Sequence, residues 1–262
     1  VSFLSYGLLY DLIIKVYNDN EYSRKWLSGA ILFAGLSFNY YLLIFAVRMW
    51  VVFMVFAYCM YTELVRKKHR IICWMVYAFL VLFHYAAIIL VVFRIIIKIL
   101  HRTEGNNEII KKMAIIIASI VGIYFVLNSP LDSTIMRKVD GYAGYAVRGT
   151  WQTISCWARS IGIGLLALYQ LKREQRDEYR FYYGFLICVL LLMISQFRNY
   201  QITLRFADCL IVSSVPILPQ IVNGNGRDVF IVSYPQLFAI FVMIVSVAYT
   251  FLFDYRLLEF VF

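Results

Sequence analysis

Little in this sequence offers ready-made chemistry. It has no P-loop and no GxGxxG, which excludes the two familiar nucleotide cradles, and it has no Ser-His-Asp pattern. Five cysteines, at positions 59, 73, 156, 188 and 209, show no CxxC spacing and lie mostly in apolar runs. They read as core filler, not as a disulfide framework. No His or Cys cluster has metal-ligand spacing, so neither a metal nor a cofactor is expected. There is no internal repeat, no low-complexity tract and no segment that reads as a soluble domain. Charge is scarce too, at 15% of residues.

Apolar side chains take the place of what is missing. They make up 63% of the chain, with a mean hydropathy of +0.75, where a soluble domain has roughly 45–50%. That composition predicts an all-α, polytopic transmembrane helical bundle. The 262 residues allow about eight to ten spans, some short or broken, in a single integral membrane domain covering 1–262. The net charge of +10 sits mostly in loops. It reports topology and contact with membrane lipids, not a nucleic-acid partner. The chain begins at Val1 and is apolar at once, without a basic leader region or cleavage signature. A further N-terminal portion is therefore expected.

The basic clusters set the orientation. Arg66–Arg70, RKKHR, is the strongest topological mark and belongs on the cytoplasmic side, as does Lys172–Arg180, KREQRDEYR. Ile71–Leu100 holds 30 mostly apolar residues around His84. A turn near His84 would make it a hairpin of two short helices and keep every basic loop on one side. Ser129–Trp157 is a longer polar loop expected outside the cytoplasm. On this topology Arg48, His84, Arg148, Arg159, Arg198 and Arg205 all fall at the non-cytoplasmic face. Arg94 and Lys98 look like anchors that snorkel to the cytoplasmic interface.

Arginine suits phosphate because its planar fork donates two parallel hydrogen bonds and stays charged at ordinary pH. Two arginines at one entrance, Arg198 and Arg205 about two helical turns apart, suggest a held anion. The blander alternative is that they snorkel to lipid phosphates, and Arg48 beside Trp50 has the same alternative. A diphosphate would need arginines from different helices, and Arg48, Arg198 and Arg205 supply such a set, with Arg148 and Arg159 nearby. His84 is a candidate for positioning substrate or moving a proton, with a satisfied core histidine as the alternative. Asp132 and Asp140 are loop carboxylates able to take a proton from a hydroxyl nucleophile, or ordinary turn formers. Asp208, three residues after Arg205, has helical spacing to pair with it. Tyr142, Tyr145 and Trp151 are rings that could stack on sugars.

Three stretches carry a resemblance. FAVRMWVVFMVFAY (45–58) opens a span with an arginine. LVLFHYAAIIL (80–90) follows, with its histidine 36 residues after Arg48. RNYQITLRFADCLIVSSVPILP (198–219) bears arginines before an apolar helix ending in proline. In this order they resemble bacterial O-antigen and exopolysaccharide polymerases of the Wzy and EpsG type. The chain departs from that pattern at Ala46, Val47 and Met49 around the first arginine, and at Tyr85 after the histidine. The resemblance implies a metal-independent membrane glycosyltransferase of the C type in the bacterial inner membrane. It would transfer a growing glycan from undecaprenyl diphosphate to an incoming lipid-linked repeat unit at the outer face, with a chain-length regulator protein as a further partner. Arg48, Arg198 and Arg205 would hold the donor diphosphate, and His84 would position substrate or shuttle a proton. An O-antigen ligase and a lipid-linked oligosaccharide flippase or transporter are the alternatives.

Overall fold

A computed structural model describes residues 2–20, 27, 30–31, 47–84, 86–102, 150–173, 177–195 and 200–216, with short pieces at 240–242, 244–245 and 248. Among these residues the regular structure is entirely helical: α1 (Ser2–Asn20), α2 (Val47–Leu64), α3 (Arg70–Phe83), α4 (Ala86–Arg102), α5 (Thr150–Arg173), α6 (Asp177–Ser195) and α7 (Tyr200–Ser214). The all-α class is as composition predicts. Thr150–Trp157, placed by the sequence in a polar loop, forms the first two turns of α5.

No helix of the described residues is long and apolar enough to cross a membrane. The physical reasons differ by helix. At about 1.5 Å per residue α3 extends about 21 Å, short of a hydrocarbon core of about 30 Å. The 24 residues of α5 have the length but carry Gln152, Arg159, Gln170, Lys172 and Arg173. α6 opens on Asp-Glu-Tyr-Arg.

The apolar run around His84 breaks where a hairpin requires. His84 has extended backbone (φ −157°, ψ 130°) and its N–H donates to Leu80 O at 2.9 Å, closing α3. Its carbonyl accepts the Ala87 N–H at 3.0 Å, starting α4. The two helices then run antiparallel, because Trp74 near the start of α3 meets Lys98 near the end of α4, ammonium 5.0 Å from the ring centre.

Aromatic contacts fix the register of the central helices. Phe56 of α2 packs between Tyr77 of α3, a tilted ring at 4.9 Å, and Phe185 of α6, stacked at 5.5 Å. Each such pair contributes about 0.5–1.5 kcal/mol beyond the area it buries. One step further along, Tyr61 meets Tyr179 and Cys59 meets Cys73. In both partnerships the numbers rise on α2 as they fall on the neighbour, so α2 is antiparallel to α3 and to α6. α5 packs closely on α6 through Gly164, where an added Cβ would run into Leu190. α1 lies along α2 in the same direction: Asp11 accepts from Tyr58 at 3.0 Å and Asp19 from Tyr61 at 3.1 Å. Lys15 bridges Asp11 at 2.7 Å and also meets the Tyr58 hydroxyl.

The outside of the bundle is apolar as well as the inside. On α3, Ile71, Met75, Phe79 and Leu82 stand exposed at helical spacing, Leu82 at 85%. Ile154, Ile161, Leu165 and Leu168 form a second exposed row on α5. Contiguous exposed apolar area of this kind is uncommon on monomers surrounded by water.

Candidate functional site

The register collects several of the nominated residues. Phe56 and Tyr77 share a level. Counting at about 1.5 Å per residue, Arg48 lies about 12 Å from that level and His84 about 10 Å, both toward the same end. α6 ends there as well, since it runs opposite to α2, and so α7 begins there with Arg205 in its second turn. α5, joined to the start of α6 by only three residues, also begins at this end and brings Arg159 in its first half. Arg48 is exposed, and His84 and Arg205 are half-buried.

Arg159 is held differently from an open rim residue. It is 1% exposed, and its Nη2 donates to Asp208 Oδ1 at 3.2 Å. Cys156, one turn earlier, lies against both members of the pair. The carboxylate that sequence spacing nominated for Arg205 thus meets a guanidinium 49 positions away. The pair ties α5 to α7 inside the bundle. Asp132, Asp140, Arg148 and Arg198 lie outside the described residues, as do Tyr142 and Tyr145.

A second charged cluster occupies the opposite end, where sequence reasoning saw only topology. Glu63, 4% exposed, accepts four hydrogen bonds: from Trp74 Nε1 (3.0 Å), Tyr77 Oη (3.1 Å), Arg94 Nε (3.2 Å) and Arg94 Nη2 (2.8 Å). Arg94 is therefore no snorkelling anchor. It is 4% exposed and turned onto a carboxylate of α2, its guanidinium 5.8 Å from the Trp74 ring centre. Lys98, one turn on, stays exposed over the same ring. The cue that was available is a lone Glu in an apolar helix, since a buried carboxylate requires a cation.

This cluster forms one wall of a cavity of about 710 Å³. Its other lining residues are Leu64, Lys67, Arg70 and Ile71 from the α2–α3 turn and Asp177 and Phe181 from the start of α6. The turn is built tightly, with Lys67 (φ 54°) and His69 (φ 52°) in the left-handed region. Neither is glycine, so each position is strained. Compared with family models, with curated proteins and with solved structures, the chain matches none.

Proposed function

We propose that this chain is an integral membrane glycosyltransferase that polymerises lipid-linked polysaccharide repeat units at the outer face of a bacterial inner membrane. The donor is a glycan on undecaprenyl diphosphate and the acceptor an incoming lipid-linked unit. The observation that carries the reading is that Arg48, His84 and Arg205 stand toward one end of a helical bundle with exposed apolar flanks. These residues come from the three stretches that resemble the polymerases. The outward Ile, Leu, Met and Phe rows are in keeping with a lipid surround, since water would make their exposure unfavourable by about 25 cal/mol per Å².

In this reading Arg48, with Arg198 and Arg148, receives the diphosphate, and Arg205 stabilises the charge that grows on it as the glycosidic bond to the carrier breaks. The leaving group is anionic and needs cations more than it needs an acid. His84, Asp132 or Asp140 takes the proton of the attacking sugar hydroxyl. Arg159, neutralised by Asp208, braces α5 against α7 beneath the site and does not join the clamp. No metal or nucleotide enters the scheme.

Buried arginines at both ends of the bundle, Arg94 and Arg159, favour a flippase or transporter as the second reading. Each is neutralised by a carboxylate, however, which weakens the case for a continuous cationic path. The polymerase reading is tested by replacing Arg48 and Arg205 singly with Ala and with Lys in a polysaccharide-producing strain and resolving the chain-length ladder. Alanine variants that accumulate a single repeat unit on the carrier support it. Normal long chains in both, with the protein present, overturn it. Cysteine labelling at Ser133 from outside and Gln175 from inside tests the orientation.

A further inference from the structure

The cavity between the α2–α3 turn, α4 and the start of α6 lies about 22 Å along α2 from Arg48, counted as fifteen residues at about 1.5 Å each. Nothing in the polymerase scheme uses it. We propose that it is a binding site for the phosphate headgroup of an anionic lipid, with the hydrocarbon chain laid along the outer face of α3.

Charge is the first argument. Among the described residues, Lys67, Arg70, Arg94 and Lys98 line the cavity against two carboxylates, Glu63 and Asp177. Glu63 is already matched by Arg94 at 2.8 Å, and Asp177 lies 3.9 Å from Arg180. Arg70 and Lys98, both exposed at the cavity, remain for a ligand. The second argument is an orphaned donor. Arg94 Nη1 is buried, and among the described residues it has no hydrogen-bond partner. A buried donor left unmade costs about 1–3 kcal/mol, more on a charged group, so an anionic oxygen beside it is strongly favoured. Third, α3 begins at the cavity with Arg70 and Ile71, and its N-cap His69 supplies no side-chain cap. The first N–H groups of α3 and its positive dipole end therefore favour an anion at the same place.

The apolar lining chooses among phosphate ligands. Leu64, Ile71, Trp74 and Phe181 share the cavity with the cations. Ile71 is 79% exposed and begins the outward row that continues through Met75, Phe79 and Leu82. From Ile71 to Leu82 that row extends about 16 Å along the helix. A headgroup in the cavity thus opens directly onto a track suited to an acyl or isoprenoid chain. A small soluble phosphate would leave the track unused.

The test is calorimetric titration of the purified full chain in a non-ionic detergent with dihexanoyl phosphatidic acid, dihexanoyl phosphatidylcholine and inorganic phosphate. Phosphatidic acid is expected to bind saturably, at least tenfold tighter than either of the others. The double variant Arg70→Ala/Lys98→Ala removes two exposed cations without touching the Glu63–Arg94 pair, and should weaken phosphatidic acid at least tenfold. Lys172→Ala, exposed outside the cavity, should leave affinity unchanged. Equal binding of the two lipids overturns the headgroup assignment, and equal binding of inorganic phosphate overturns the lipid assignment. Unchanged affinity in a folded double variant, or an equal loss in Lys172→Ala, overturns the site. None of these outcomes depends on polymerase activity, so the two readings fail separately.

Discussion

Glu63→Ala is the sharpest test of how the bundle is held together. The substitution removes a carboxylate that accepts four hydrogen bonds and leaves Arg94, 4% exposed, without its counter-ion. Stranding a buried charge in this way costs about 3–5 kcal/mol. The orphaned Trp74 and Tyr77 donors add to this, though less than singly measured values would sum to. For a chain of this size the expected fall in Tm is on the order of 10 °C. Glu63→Gln keeps shape and an acceptor oxygen but loses the charge, and should fall between wild type and Glu63→Ala. The discriminating protein is the double variant Glu63→Gln/Arg94→Met. Replacing both members of a buried pair with groups of similar size is often neutral or stabilising, so most of the lost Tm should return. Thermal unfolding followed by circular dichroism in one fixed detergent makes the comparison. A Glu63→Ala protein as stable as wild type would refute the reasoning. So would a double variant as damaged as Glu63→Ala.

Asp208→Ala should likewise destabilise, by about 3–5 kcal/mol, and Arg159→Met/Asp208→Asn should recover most of it, read by the same melting curves. Gly164→Leu drives a side chain into Leu190, whose Cγ already lies 3.3 Å from an added Cβ. It should cost about 1–3 kcal/mol as overpacking, with part restored by Leu190→Ala. Phe56→Ala removes the ring between Tyr77 and Phe185 and should cost about 3–5 kcal/mol. Changing Met75 and Phe79 together to Lys tests the lipid surround. At about 2.5–3.5 kcal/mol per charge the variant should fail to accumulate in membranes, whereas a variant recovered as a soluble monomer would sink the membrane reading.

The positions of charged residues were legible in the sequence, but most of their pairings were not. A basic run such as RKKHR marks one end of a bundle whatever the helices do inside it, and the apolar run around His84 is too long for one short helix, so both were readable from hydropathy alone. Hydropathy also placed Arg48 and His84 at one end, because only alternation of direction was needed. The pairing of Asp208 was a different problem. Local spacing offers Arg205, three residues away, and says nothing of Arg159 on α5, whose guanidinium meets Asp208 inside the bundle. Arg94 was misread for a related reason. A long side chain near the end of an apolar run usually escapes to water, and only the register of α2 against α3 and α4 reveals Glu63 waiting inside.

The same register explains why the bundle carries charge at both ends and little between. Apolar side chains are buried along α2 from Met49 to Leu64, and the central rings of Phe56, Tyr77 and Phe185 have an ion pair on either side of them. An ion pair specifies which helices meet more sharply than apolar packing does, because a wrong partner strands a charge. Arg94–Glu63 joins α4 to α2, and Arg159–Asp208 joins α5 to α7. Between them they link helices that are not neighbours in sequence, 31 and 49 residues apart. If the pairs serve that purpose, exchanging the charges within one pair should preserve the fold. Glu63→Arg/Arg94→Glu should then be less damaging than either single change, and a reversed pair that unfolds as completely as the singles would show that the local donors Trp74 and Tyr77, not the charge match, decide the pairing.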